Sequence, residues 1–355
     1  MRNLTAAKGV SRDRVEMFST RLRHMWAVVN GPIASARVRA GSTLATMPTT
    51  RPFRQVDVFG ARPFAGNPLA VVHDAVGLTD EQMADVSAWT NLSECTFLLP
   101  PTDPGADYRV RIFAGRRELP FAGHPTLGTA AAWLDAGGSP AVAGRVVQEC
   151  GVGLVTVREI AEGAGGEGRD GDGAGAGGAA ADAVALAFEA PSLLRSGTPE
   201  TDERDAVVRT LGLEADADAV LEVRWIDNGP GWIGVLLRDA DAVLAVRPEP
   251  ARDGVERSIG VVGLRAEALD GEPRVEIRAL IVDGEGGLVE DPVTGSLNAS
   301  AAQWLIDTGR VSAPFTAAQG RMVGHDGRVS ITRDAGGALW VGGAAVVAIR
   351  GEIGV

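Results

Sequence analysis

The sequence predicts an α+β protein made of two similar copies of one unit, and three observations carry that reading. The first is internal. ELPFAGHPTLGTAAAWLDAG, from Glu118 to Gly137, aligns without a gap on EDPVTGSLNASAAQWLIDTG, from Glu290 to Gly309. Glu118, Pro120, Gly123, Asp135 and Gly137 thereby meet Glu290, Pro292, Gly295, Asp307 and Gly309. Self-similarity at so long a period means two copies of a domain, not a short-period solenoid. The second is a series of short alternating segments separated by Gly- and Pro-rich turns, the pattern of half-buried strands. The third is that each copy leads through a Pro-x-x-Gly turn into an alanine-rich apolar helix, with small residues such as Gly128, Ala130 and Ala131 that would let it sit inside a curved sheet.

From Phe53 onward the elements follow in order. RQVDVF alternates as a strand, RPFAGNP is a turn-rich loop, and LAVVHD is a second strand. LTDEQMADVSAWTN predicts a helix with Thr79 as N-cap and Gln82 completing a capping box. SECTFLLPP and DYRVRIFA read as strands, and GHPTLGTAAAWLDAG as a helix closed by Gly137 in the left-handed conformation. Gly128 in mid-helix costs about 1 kcal/mol relative to alanine, so close packing is the expected reason for it. GRVVQEC and GLVTVRE read as a hairpin. GRVVQECG (144–151) matches GRMVGHDG (320–327), and both run into an alternating strand; NPLAVVHDA and NGPGWIGVLLRDA are weaker counterparts. Residues 161–183 are nearly all Gly, Ala and acids and are expected to form a disordered insertion, since they cannot bury enough apolar surface to offset their ordering entropy. Residues 1–48 read as a disordered basic extension: the first 46 carry eight Arg or Lys against Asp13 and Glu16, and Met47 is expected to open the natural chain.

Composition narrows the function. Of 355 residues, 45% are apolar and 23% charged, as in ordinary soluble domains. A net charge of -12 argues against nonspecific nucleic-acid or anionic-membrane binding. No apolar run approaches the roughly 20 residues of a membrane span. Cys95 and Cys150 make no disulfide framework and fit a reducing cytoplasm, with a buried structural role expected for both. The four histidines, at 24, 73, 124 and 325, show no zinc-type spacing, so no metal is expected. GPGWIG lacks the Gly-Lys-Ser/Thr of a phosphate loop, and no dinucleotide fingerprint follows the first strand, so no cofactor is expected either. The unpaired N–H groups at the starts of the two repeated helices suit a carboxylate, and a pseudo-twofold would bring them face to face across a cleft.

QVDVF…RPFAGNPLAVV, NLSECTF, ELPFAGHPTLG, EDPVTGS, QGRMVGHDGRV and VGGAAVVAIRGEI occur in that order. Together they resemble the PhzF-like family of isomerases over residues 53–355, apart from the glycine-rich insertion. The resemblance implies two pseudo-equivalent diaminopimelate-epimerase-like domains, each a curled, mostly antiparallel sheet around a central helix, with the active site in the cleft between them. The first domain would span 49–141, with the C-terminal strand 345–355 crossing back to it, and the second 142–344. A homodimer is expected on this analogy alone.

The resemblance also assigns residues. Glu94 in NLSE matches the family's catalytic glutamate; taken alone it would read as a solvated glutamate where a helix gives way to a strand. One carboxylate over one face of a π-system can remove a proton and return it elsewhere if burial raises its pKa. Gly123 and His124 match the family's Gly-His pair, with His124 donating to substrate or sharing a proton with Glu94. Asp291 would orient the substrate or exchange protons with it, and Gly295 and Ser296 would bind its carboxylate. Thr294 reads as a simple N-cap and stays outside the catalytic set. The implied activity is a cofactor-independent proton shift on a small hydroxylated cyclic carboxylate. Two alternatives stand beside it. An amino-acid racemase or epimerase needs a second base on the opposite face, yet the positions where related epimerases carry cysteines hold His124 and Ser296. A noncatalytic small-molecule-binding protein on the same fold would bind without proton exchange.

Overall fold

The structure, a computed structural model, describes residues 49–160, 183–249, 253–266, 272–283 and 285–355. The expected extension 1–48 lies outside the described residues, and so does the expected insertion except for Ala183, which opens a strand.

The first part of the chain contains β1 (Thr50–Val58), β2 (Asn67–Val72), α1 (Asp80–Thr90), β3 (Glu94–Leu99), β4 (Tyr108–Ala114), β5 (Arg117–Leu119), α2 (Gly123–Asp135), β6 (Arg145–Cys150), β7 (Gly153–Glu159) and β8 (Ala183–Glu189). The second part contains β9 (Arg195–Gly197), α3 (Thr201–Thr210), β10 (Val220–Asp227), β11 (Trp232–Leu237), α4 (Ala240–Ala245), β12 (Arg257–Leu264), β13 (Val275–Val282), β14 (Leu288–Asp291), α5 (Gly295–Asp307), β15 (Phe315–Gln319), β16 (Gly327–Arg333) and β17 (Leu339–Gly354). The fold is a sheet-rich α+β architecture. The same succession of pairings occurs twice. β1–β2, β3–β4, β4–β5 and β6–β7 are antiparallel, as are β10–β11, β12–β13, β13–β14 and β15–β16. The parallel pairs β2–β3 and β4–β6 recur as β11–β12 and β13–β15. β17 pairs with β16, β8 and β1 in turn, so the strands around α2 close on themselves like a barrel.

Both repeated helices are buried over most of their circumference, as expected of helices apolar all round. α2 buries every residue from Gly123 to Ala132. A Cβ on Gly128 would lie 2.6 Å from Leu69 Cδ2 and 2.9 Å from Val58 Cγ2, so its packing against β1 and β2 leaves no room for a side chain. Gly137, at φ 91°, ends the helix in the left-handed region. Thr79 and Gln82 form the reciprocal capping box: Thr79 N donates to Gln82 Oε1 at 3.0 Å and Gln82 N to Thr79 Oγ1 at 3.2 Å.

Two sequence expectations need correction. The repeat register holds through the helices but not through GRMVGHDG. By sheet register β6 corresponds to β15 (Tyr108↔Gln148 beside Val275↔Ala317), while Arg321–Val323 form a 3₁₀ turn between β15 and β16. The shared glycines aligned a strand with a turn. Cys95 is buried, and burial pushes its thiol up to about 12. Cys150 is only half-buried, because it ends β6 at the tight turn into β7. Among the described residues no helix is long and apolar enough to cross a membrane.

Candidate active site

Glu94 is placed by a helix end and a strand start. α1 stops at Asn91, which takes a left-handed φ of 54°, and β3 begins three residues later. Alternation along β3 sends Cys95 into a core with Ala70, Met83, Phe97 and Phe113, and leaves Glu94 on the other face. There its side chain is 17% exposed and lies against His124, with Oε2 3.4 Å from Nδ1. The histidine side chain is 4% exposed. Among the described residues neither Glu94 Oε2 nor His124 Nε2 finds a hydrogen-bond partner, although both atoms are buried. Buried polar atoms are nearly always paired, so an unpartnered atom on each of two touching side chains calls for a ligand or a reaction.

Burial sets the charge of this pair. It pushes the Glu94 carboxyl well above the usual carboxylate range, and the neighbouring Asp291 charge pushes in the same direction. Burial pushes His124 down to about 3, so the imidazole is neutral at ordinary pH. Asp291 differs in its donors. Its Oδ1 accepts from Asn67 Nδ2 at 3.0 Å and Ser93 Oγ at 3.0 Å, and its Oδ2 from Thr294 Oγ1 at 2.5 Å. Burial raises Asp291 too, but these donors and His325 pull it back. Of the two carboxyls, Glu94, which no donor among the described residues serves, is pushed toward keeping its proton, while the three donors on Asp291 favour its charge.

The turn that follows Asp291 is braced from beneath. Gln319, fully buried at the end of β15, donates to the Asp291 carbonyl at 3.0 Å and to Thr294 Oγ1 at 2.9 Å. Its Oε1 accepts from Thr294 N at 3.0 Å and Asn298 Nδ2 at 2.8 Å. Thr294 therefore stands at the N-cap position of α5 without capping it; its hydroxyl is spent on Asp291.

The starts of α2 and α5 touch. A Cβ on Gly295 would lie 3.0 Å from Gly123 Cα and 3.1 Å from His124 N, so glycine is required by contact between the two backbones. Ser296 follows, with Oγ accepting from Trp232 Nε1 at 3.1 Å and its carbonyl from Asn228 Nδ2 at 3.0 Å. The structure thus gathers Gly123, His124, Gly295 and Ser296 at one helix junction, with Glu94 against His124 and Asp291 at the end of β14, before the turn that leads into α5. Sequence reading missed Asn67, Ser93, Gln319 and Trp232. Asn67, Ser93 and Gln319 lie inside segments that carry the family resemblance, but a lone Trp gives no local signal. Among the described residues no group of three or more His, Cys, Asp or Glu is set to hold a metal ion.

With this geometry in hand, comparison with known proteins gives a consistent answer. The family model described as phenazine biosynthesis-like protein matches residues 56–351. Antisense-enhancing sequence 1 of Schizosaccharomyces pombe is 30% identical over 315 residues, 86% of this chain and 99% of its own. The trans-2,3-dihydro-3-hydroxyanthranilate isomerase of Pseudomonas aeruginosa is 51% identical over 77 residues, which is 22% of this chain and 27% of the isomerase. Among solved structures, a predicted epimerase of Pseudomonas aeruginosa superposes with a TM-score of 0.65 at 26% identity, covering 85% of this chain and 99% of that one.

Proposed function

Since the chain belongs to the phenazine biosynthesis-like protein family and is an isomerase, we propose that it shifts a proton within a small hydroxylated cyclic carboxylate, using Glu94 as the acid/base and no cofactor. The observation that carries the reading is the buried Glu94–His124 contact, with an unpartnered oxygen and nitrogen beside an Asp291 that accepts three hydrogen bonds. In this reading the site lies in a cleft between two pseudo-equivalent domains, 49–141 and 142–344. Ionised Glu94 takes a proton from a ring carbon, and the C–H electrons enter the conjugated system. The same carboxyl then returns the proton to the far carbon, so the formula and oxidation state are unchanged. A raised carboxyl pKa serves both halves, since the group must release the proton nearly as readily as it takes it. Neutral His124 holds the substrate without adding a charge, and the junction of Gly123, Gly295 and Ser296 receives the carboxylate.

The test is incubation in D₂O with dihydro-hydroxyanthranilate and a small panel of cyclic carboxylates, followed by proton NMR. Conversion lost in Glu94→Gln supports the assignment; conversion untouched by that change removes Glu94 from the proton path. Deuterium at a substrate α-carbon with inversion would favour an epimerase instead. A second prediction isolates Asp291. Glu94 works as a base, so kcat/KM rises with pH as its proton leaves. Asp291→Asn removes the charge that helps hold that proton, and the acid limb is expected to move to lower pH. An unmoved limb, checked by carboxyl ¹³C titration of Glu94, would mean that burial alone sets its pKa.

A further inference from the structure

Ser296 carries a hydroxyl at the helix junction, and its oxygen already accepts one hydrogen bond. Trp232 Nε1 can only donate, and it donates to Ser296 Oγ at 3.1 Å. The serine hydroxyl hydrogen is thereby left to point elsewhere. Asn228 Nδ2 holds the Ser296 carbonyl at 3.0 Å, which fixes the backbone carrying that hydroxyl. Both partners come from the loop NGPGW. Asp227 Oδ1 shapes it by accepting from Gly229 N at 2.7 Å and Gly231 N at 2.6 Å, and the two glycines take φ of 142° and 82°. Those values favour glycine, so the turn needs them. Trp232 is 2% exposed in the core and cannot swing away.

Two further observations point this arrangement at a ligand. α5 runs thirteen residues, so its first-turn N–H groups have no carbonyl within the helix and carry the positive end of its dipole. His124, 3% exposed and touching Gly295 through its backbone, keeps a buried Nε2 without a partner. From these contacts we infer that Trp232 and Asn228 are positioning residues that orient the Ser296 hydroxyl to donate, so that this end of the site favours an anionic acceptor, a carboxylate, over its amide. The inference rests on the reading of Ser296 as the carboxylate end. The glycine loop, which lacks the residues of a phosphate binder, thereby holds the two partners of Ser296 in place.

The physical consequence is discrimination. A carboxylate accepts from Ser296 Oγ–H while Trp232 donates to the same oxygen, and each bond in such a chain polarises the next. A carboxamide that turns its NH₂ toward Ser296 must share the oxygen with Trp232, and one that turns its C=O there offers a neutral acceptor in place of a charged one. A hydrogen bond to a charged group is stronger than its neutral counterpart by enough to give about tenfold or more in affinity.

The experiment uses the full chain and measures binding without turnover. Anthranilate and 2-aminobenzamide are titrated into ¹⁵N-tryptophan-labelled protein, and the indole N–H resonances of its seven tryptophans are followed. Anthranilate is expected to bind at least about tenfold tighter than the amide and to move the Trp232 indole proton downfield; the amide should not move it. Trp232→Phe keeps the ring shape and removes the donor, and is expected to bring the affinity ratio to within about threefold. Ser296→Ala, at a half-exposed position, is expected to do the same, and the indole signal it displaces identifies Trp232 even if Trp232→Phe fails to fold. Full discrimination retained in Ser296→Ala, or no binding of either probe, overturns the inference. Because no catalysis is read, loss of discrimination alongside full activity in Glu94→Gln would sink the assigned base and leave this inference standing.

Discussion

Glu94→Gln is expected to lower turnover by about 10²–10⁴-fold, the usual contribution of a positioned acid/base, while raising the melting temperature at neutral and alkaline pH. The two effects share one cause. Burial and the Asp291 charge hold the folded-state pKa of Glu94 well above its unfolded value near 4.5. Between those two values the folded chain binds more protons than the unfolded one. The contribution of this group is therefore fully present below the unfolded pKa and lost as pH rises through the folded pKa. Glutamine keeps a neutral polar group of the same shape and escapes that loss. The gain in melting temperature should be absent near pH 4 and grow with pH, at roughly 2–4 °C for each kcal/mol recovered. His124 has the opposite sign. Its folded pKa of about 3 lies below the unfolded 6.5, so its contribution is present above pH 6.5 and lost as pH falls toward 3. Acid destabilisation from His124 should persist in the variant. Scanning calorimetry from pH 4 to 9 reads both. A variant less stable than the parent across that range would mean that Glu94 makes a structural bond and is not held in tension by its surroundings.

Much of the scaffold was legible because its causes are local. A capping box is four residues long, strand alternation needs six, and a helix apolar on every side declares that it will be enclosed. The gapless match between the two helices reached further, since both copies need the same glycine where their backbones meet. The hairpin register failed for a physical reason: Gly144 and Gly320 both sit in turns with positive φ, 73° and 95°, and shared turn chemistry does not fix which strand follows. What composes the site was least legible. Asn67 and Asp291 are 224 residues apart, and the bond between them exists only because the strand pairings deliver β2 and β14 to the same place. Gln319 is similar. Nothing about a glutamine at a strand end announces four hydrogen bonds, three to Asp291 and Thr294 and one to Asn298 in α5. The resemblance to a family supplied Glu94, His124 and Asp291, but the charge division between Glu94 and Asp291 followed only from counting donors in three dimensions.

The glycine contact at the helix junction makes the second large effect. Gly295→Ala is expected to lower kcat/KM by about 10²-fold and to cost roughly 1–3 kcal/mol of stability. The new Cβ would meet Gly123 Cα at 3.0 Å and His124 N at 3.1 Å. Both are backbone atoms of a buried helix start, so neither can rotate away; α2 and α5 must move apart. On one side Gly123 is already pressed against Phe188, whose Cζ would lie 2.7 Å from a Cβ there, so the strain cannot be relieved in that direction. The shift therefore falls on His124 and Ser296, which the junction holds, and on the 3.4 Å separation of His124 from Glu94. The gain in helix propensity, at most about 1 kcal/mol, is smaller than this cost. Gly128→Ala is the control. Its Cβ would press on Leu69 Cδ2 and Val58 Cγ2, side-chain ends within the barrel and one helical turn from the junction. It should destabilise by a similar amount yet leave kcat/KM per folded molecule within about threefold of the parent. Equal losses of activity in the two variants would show that the enzyme responds to general loosening. A loss confined to Gly295→Ala would tie catalysis to the distance between two helix starts.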